Sequence, residues 1–480
     1  MGAGRLALAA VCLVATGAAC TDDVAPARAQ VLLIVDTNVP LVGQLALRDE
    51  LARDTAIDTV RIEVFDDGGA LAETRDFIVP DPSSWPLSLG LRPRSSTTAR
   101  LRLRAFRAIH AQADKAGAVA IAPPQLVIDR MVAITSPAEG VRTLRVTLEG
   151  DCLGMPAATS APFSSCVDAA TPSAEPNVGI DIEPGLSART TTRAGTWQGA
   201  TFVDCTAARP NDDAICIPGG FTILGEATLS GIEGAYEEAH DSAPIRPVRL
   251  SPFYLDKYEF TVGRLRKSGV AALGDEEEPF VPGRPANADC TFRGFDDGVN
   301  DALPLNCVHW KSARKLCRAS GGDLPTEAQW EYTARGRGEQ RPFPWGSGFG
   351  GCCTSSLERA TRGVFNGCGR GVEPVGSHAD PSRCSGFADV SRDGVVDLGG
   401  SLNEFLRDVF QPYTAACWGG AGIALDPTCR DDESQDHMIR GASWKENGLL
   451  ANTTVRASNG PVFEVQTGRG FRCAYPGVAP

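Results

Sequence analysis

Leu324-Pro325-Thr326-Glu327-Ala328-Gln329-Trp330-Glu331-Tyr332 is the stretch of this 480-residue chain whose reading decides the fold. Thr326 and Gln329 form a capping box, in which hydroxyl and amide side chains satisfy free backbone N–H groups at a helix start. Glu327 adds negative charge in the first turn, where the helix dipole favours it. Trp330 and Ala334 are spaced to share one buried face. Working outward, Val308-His309-Trp310 and Ala313 leading to Cys317 read as the preceding helix. Arg440-Gly441-Ala442-Ser443-Trp444 and Gly470-Phe471-Arg472-Cys473 lie downstream.

In that order and at those separations, the three stretches resemble the formylglycine-generating enzyme family, the sulfatase-modifying factors. The resemblance runs from about Ile217 to Tyr475 and includes Ile217-Pro218-Gly219-Gly220-Phe221, Pro247-Val248-Arg249-Leu250, Asp256-Lys257-Tyr258-Glu259-Phe260-Thr261, Pro344-Trp345-Gly346, Pro374-Val375-Gly376 and Asp397-Leu398-Gly399-Gly400-Ser401-Leu402-Asn403-Glu404-Phe405. It implies an irregular α+β domain distantly similar to C-type lectins. The abundant glycine and proline, 52 and 33 residues, agree with that.

The family oxidises a sulfatase cysteine to formylglycine, using two cysteines two and seven residues after the aromatic of the second stretch to bind copper. Soft thiolates suit Cu(I). Counted from Trp444, those positions hold Glu446 and Ala451, and no cysteine occurs between Cys429 and Cys473. Carboxylate and methyl cannot replace two thiolates, so copper binding and oxidase activity are not expected. Asn403 stands where the family usually has tryptophan; Ser443 keeps its identity. A related branch holds non-haem iron with two histidines and a carboxylate. His110, His240, His309, His378 and His437 are scattered, which argues against such a site.

Calcium is the metal the resemblance does imply. By position its ligands would be the Asp397 side chain, the carbonyls of Gly400 and Leu402, and Glu404, all hard oxygen donors. Asp389, Ser391, Asp393 and Gly394 resemble the opening of an EF-hand loop, but its twelfth position is Gly400, where glutamate is needed.

The run Leu6 to Val14 after Arg5 suits a signal-peptide core and is too short to span a bilayer. With Gly17, Ala18 and Ala19 before Cys20, residues 1–20 resemble a bacterial lipoprotein signal in which Cys20 is lipidated. Plain secretion is the alternative. Setting aside Cys12 and Cys20 leaves fourteen of sixteen cysteines, an even number suited to pairing in an oxidising cell envelope. The resemblance implies a disulfide between Cys317 and Cys473. Spacing suggests the local pairs Cys152 with Cys166, Cys205 with Cys216, Cys417 with Cys429 and Cys290 with Cys307, and leaves Cys352, Cys353, Cys368 and Cys384 to share partners.

Upstream, Val60-Arg61-Ile62-Glu63-Val64-Phe65 and Ala99-Arg100-Leu101-Arg102-Leu103-Arg104-Ala105 alternate apolar with charged residues, as do Leu144, Val146 and Leu148 with their neighbours. Period-two alternation between turn residues predicts an immunoglobulin-like β-sandwich over residues 30–150, with the arginines on a solvated face. Residues 151–216, rich in Ala, Ser, Thr and Pro, read as a disulfide-stapled, partly ordered linker ahead of the domain at 217–480. A net charge of −13 and the lack of any basic cluster interleaved with aromatics argue against nucleic acid as a partner.

The sequence therefore predicts an envelope lipoprotein, membrane-held through its lipid. Its C-terminal domain would be a non-catalytic binding module for a peptide or glycan, with an active cysteine-modifying oxidoreductase as the alternative.

Overall fold

The computed structural model describes residues 29–44, 55–66, 69–92, 98–111, 122–135, 137, 139–176, 194–226, 242–269, 289–295, 298–347, 371–380, 388–434, 436–444, 446, 448–458 and 467–479. The signal segment with Cys20, and Cys352, Cys353, Cys368 and Cys384, lie outside them. The fold is mixed, with many short strands and few helices.

The alternating N-terminal segments are strands in two sheets. One, ordered β4-β1-β7, joins Gln30–Thr37 (β1), Leu87–Leu91 (β4) and Val141–Leu148 (β7). The other, ordered β3-β2-β5-β6, joins Thr59–Phe65 (β2), Leu71–Ile78 (β3), Thr98–Phe106 (β5) and Ile128–Thr135 (β6). Strand β1 runs antiparallel to β4 and parallel to β7. Every second residue points inward: Val31, Leu33 and Val35 from β1 join Val60, Ile62, Leu101 and Leu103 in one buried cluster.

The arginines of β2 and β5 do not form the solvated face expected from their alternation. Arg61 pairs with Asp76 at 2.7 Å, and Arg102 with Asp129 at 2.6 Å and Glu63 at 3.3 Å. Arg61 and Arg104 are buried. Carboxylates on neighbouring strands stand opposite these guanidiniums, so the outer face is a cross-strand ladder of ion pairs. Arg100 lies over the Phe163 ring, 3.9 Å from its centroid.

Phe163 belongs to the stretch read as a disulfide-stapled, partly ordered linker, and described parts of that stretch pack against the N-terminal unit. Cys152, Leu153, Cys166 and Trp197 are buried in the N-terminal cluster, together with Phe221, Ile223 and Ile245 from further along the chain. Trp197 packs edge-on to Phe221 and donates through Nε1 to Asp151 at 2.8 Å. The described parts of the connector thus form a packed seam, because their tryptophan and disulfide bury area that the overall composition hides. A Cβ at Gly150 would fall 2.2 Å from the Trp197 ring. Gly150→Val is therefore expected to cost about 1–3 kcal/mol by overpacking, read as a lower midpoint in guanidinium denaturation.

Beyond the seam, Ala214–Ile217 (β8) and Gly220–Leu224 (β9) precede Arg246–Leu250 (β10) and Phe253–Asp256 (β11). Three helices follow: Val262–Lys267 (α1), Trp310–Ala319 (α2) and Glu327–Ala334 (α3). The capping box of Thr326 and Gln329 is formed at the start of α3. Asn403–Val409 (β12), Ala424–Leu425 (β13), His437–Arg440 (β14), Ala457–Ser458 (β15), Arg469–Gly470 (β16) and Ala474–Pro476 (β17) complete the chain. Their sheets are ordered β13-β10-β9, β17-β11-β8 and β15-β14-β12-β16. A disulfide between Cys317 of α2 and Cys473 ties the second helix to the end of the chain. Four local bridges, Cys152–Cys166, Cys205–Cys216, Cys290–Cys307 and Cys417–Cys429, account for the other described cysteines.

Candidate functional site

Buried charge organises the centre of the C-terminal domain. Glu327 and Glu331, one turn apart on α3, are fully buried. Arg456 donates from Nε and Nη2 to the two oxygens of Glu327 at 2.6 and 2.8 Å. Arg440 bonds Glu327 at 2.8 Å and also bonds Glu331, while Arg335 and Tyr413 reach Glu331 at 3.0 Å each. Burial works against the Glu331 charge, but Arg440 and Arg335 outweigh it and hold its pKa below the usual carboxylate range. The other Arg440 nitrogen, Nη1, donates to the carbonyls of Thr453 and Val455 at 3.1 and 2.7 Å. It thereby fixes the strand end and the far flank of the loop between Ser443 and Ala451.

Arg472 does the same for the acidic stretch. Its guanidinium contacts Glu404 Oε1 at 2.5 Å and donates to the carbonyls of Asp256, Lys257, Val396 and Asp397 at 2.9–3.3 Å. Trp330 Nε1 donates to the other Glu404 oxygen at 3.0 Å. The three signature stretches are therefore linked through buried ion pairs and through Trp330.

Two residues beyond Trp444, Glu446 Oε2 accepts from the Ser443 backbone N–H and from Asn403 Nδ2, both at 2.8 Å. Asn403 Nδ2 also donates to the Gly441 carbonyl at 2.8 Å. Asn403 and Glu446 thus answer one another across the loop. Ala451 is fully buried in a small apolar cluster with Phe343, Ala442, Trp345 and Leu450. A carboxylate tied to two N–H donors and a methyl packed among rings offer no thiolate to a soft metal.

The candidate calcium stretch lies beside this loop, since Ala442 and Trp444 donate to the carbonyls of Gly399 and Ser401 at 3.3 and 2.9 Å. Asp397 takes a positive φ of 59° and is buried. Its Oδ2 accepts from Gly376 N–H at 3.0 Å, while its buried Oδ1 makes no hydrogen bond and faces His378 Nδ1 at 3.6 Å. Glu404 is engaged by Arg472 and Trp330, as above. Glu259, which sequence reasoning did not single out, accepts from Ser401 Oγ at 2.9 Å and Leu402 N–H at 3.0 Å. Its pKa is raised well above the ordinary value, first by burial and then by the charges of Asp397 and Glu404. Asp389 accepts from Gly399 N–H at 3.0 Å instead of opening a separate EF-hand loop. Three buried carboxylates, Glu259, Asp397 and Glu404, thus gather around the Arg472 guanidinium.

Among the described residues the histidines do not converge. His378 sits 3.6 Å from Asp397, whereas His437 stacks on Trp310 at 3.5 Å with the rings 4° from parallel. Burial pushes the His437 imidazole down to about 4. In the unfolded chain it takes up a proton near pH 6.5, so its contribution to stability is complete above that value and lost as pH falls towards 4. His437→Phe, which keeps the stack, is expected to flatten this acid limb by on the order of 2–3 kcal/mol in urea melts run near pH 7 and near pH 4.

The family profile described as the sulfatase-modifying factor enzyme 1-like domain matches residues 201–476. The chain belongs to this family. The match begins within residues 151–216, so the family domain starts ahead of Ile217. Among relatives, the mouse protein named inactive Cα-formylglycine-generating enzyme 2 is 29% identical over 304 residues, covering 54% of this chain and 84% of that one. The formylglycine-generating enzyme of Streptomyces coelicolor is 30% identical over 309 residues, covering 56% and 91% respectively. The structure of PvdO from Pseudomonas aeruginosa is 20% identical, covers 56% of this chain and 98% of its own, and superposes with a TM-score of 0.40.

Proposed function

We propose that this sulfatase-modifying-factor domain is a non-catalytic binding module for a peptide or glycan. In this reading it is carried behind an immunoglobulin-like β-sandwich, has a C-type-lectin-like core, and belongs to an envelope lipoprotein lipidated at Cys20. The observation that carries the proposal is the pair Glu446 and Ala451. One is bound to Ser443 and Asn403, and the other is packed beneath Phe343 and Trp345. The relative named inactive is consistent with it. The decisive experiment incubates the purified full chain with copper, oxygen and a Cys-x-Pro-x-Arg peptide and reads the peptide by mass spectrometry. An unchanged peptide and no bound copper support the module. Aldehyde formation with stoichiometric copper would establish the alternative, an active oxidoreductase. Envelope localisation is checked by acyl labelling of the expressed chain, which Cys20→Ser should abolish.

We further propose that Asp397, the carbonyls of Gly400 and Leu402, and Glu404 hold calcium. Support comes from Asp397 Oδ1, which lacks a hydrogen bond and has His378 Nδ1 3.6 Å away, and from three buried carboxylates, Glu259, Asp397 and Glu404, around Arg472. A bound divalent cation would balance that charge and stiffen the loop carrying Ser401 and Asn403. Chelation is expected to lower the melting temperature, calcium to restore it, and Asp397→Ala to make the protein indifferent to both. A melting temperature that ignores the chelator in the unsubstituted chain would dismiss the site.

A further inference from the structure

The two N-terminal sheets do not close on each other along one side. Strands β3 and β4 are the terminal strands of their sheets on that side. Val31, Leu33 and Val35 of β1 are sealed, but their register partners Leu91, Leu89 and Leu87 on β4 are only half-buried, as are Val64 and Phe77 opposite. Between them lies a cavity of about 670 Å³, within the usual range for small-molecule sites.

Its lining has a definite layout. The walls are aliphatic or aromatic from both sheets, with Ile62, Phe77, Leu89 and Leu101 among them. The register places Gln30, Leu91, Asp66, Ala99 and Ile134 at one end of the unit, and the lining then follows β3 from Glu73 to Phe77, about 13 Å at the ordinary rise per residue. Arg92 follows the end of β4 beside Gln30, while Arg75 pairs with Glu73 at 2.5 Å further along the β3 wall. The slot is apolar along Ile62, Phe77, Leu89 and Leu101, carries the internally paired Arg75 and Glu73 on β3, and has Arg92 and Asp66 at the Gln30 end, a layout that suits an apolar chain with a carboxylate head.

We propose that this slot binds a single fatty acid, its chain lying between β3 and β4 and its carboxylate meeting Arg92. The site is separate from the sulfatase-modifying-factor domain and independent of whether that domain is catalytic. Chain burial supplies the affinity by removing methylene surface from water, and the exposed mouth requires no opening of the core.

The test uses the purified full chain and the fluorescent fatty acid cis-parinaric acid, with palmitate and hexadecanol as competitors. One saturable site is expected, with a Kd on the order of micromolar, displaced by palmitate at lower concentration than by hexadecanol. Leu91→Glu places a charge on the apolar wall, and Ala72→Trp fills the slot from an exposed strand. Each is expected to weaken binding about tenfold or more. Arg92→Gln should erase the preference for palmitate over hexadecanol, and Leu71→Glu, on β3 but outside the lining, should change nothing. Circular dichroism melts establish that each variant is folded. Lack of saturable binding, or full affinity in folded Ala72→Trp, would overturn the proposal. The slot would then be a gap that the inward-pointing Glu73 and Arg75 keep clear of other strands.

Discussion

Arg440→Met is expected to lower folding stability by about 3–5 kcal/mol, enough to shift most of a marginal domain towards the unfolded state. The arginine is fully enclosed and shared between Glu327 and Glu331, and it also holds the carbonyls of Thr453 and Val455. Removing it leaves two carboxylates buried, with Arg456, Arg335, Tyr413 and the Gly225 N–H to answer them. The cost is the price of that uncompensated charge more than the strength of the original pair. Guanidinium denaturation of the two proteins measures the difference. Exposed Arg75→Gln, as a control, should stay within about 0.5 kcal/mol. If Arg440→Met were equally mild, the buried ion pairs would not be holding the domain together.

Removing the Cys317–Cys473 bridge, as Cys317→Ala with Cys473→Ala, is expected to cost up to about 5 kcal/mol. The bridge spans 156 residues, and loop-closure entropy in the unfolded chain grows with that length. Both sulfurs are fully buried, so the substitutions also leave small voids. The local Cys205–Cys216 bridge spans 11 residues and should cost about 2 kcal/mol less on the same entropic scale. Thermal unfolding with and without reductant, compared across the two double variants, separates the contributions.

Much of this architecture was legible because it depends on neighbours in sequence. The capping box needs only Thr326 and Gln329, and the alternation of β2 and β5 locates their inward faces. Glu327 shows the limit of such reading. Its place in the first turn predicts a dipole interaction, yet its partners Arg440 and Arg456 lie 113 and 129 residues away. The arginines of β5 were misjudged for the same reason, since the carboxylates facing them are supplied by β2 and β6. Trp197 gave no periodic signal at all within a stretch of small and polar residues. At the candidate site, the replacements at 446 and 451 could be counted from Trp444. That Asn403 and Glu446 are bonded to one another could not, because nothing in their spacing places β12 beside that loop.

The ion-pair stitching between the signature stretches separates two properties that motif recognition tends to merge. Glu327, Arg440, Glu404 and Arg472 link the signature stretches, whereas positions 446 and 451 sit on a loop outside those ion pairs. A scaffold divided in this way can exchange its chemistry while its recognisable text stays the same. A search keyed to the three stretches will therefore collect working enzymes and silent ones alike. For engineering, the division makes the loop a replaceable cartridge, provided Asn403 is exchanged together with Glu446.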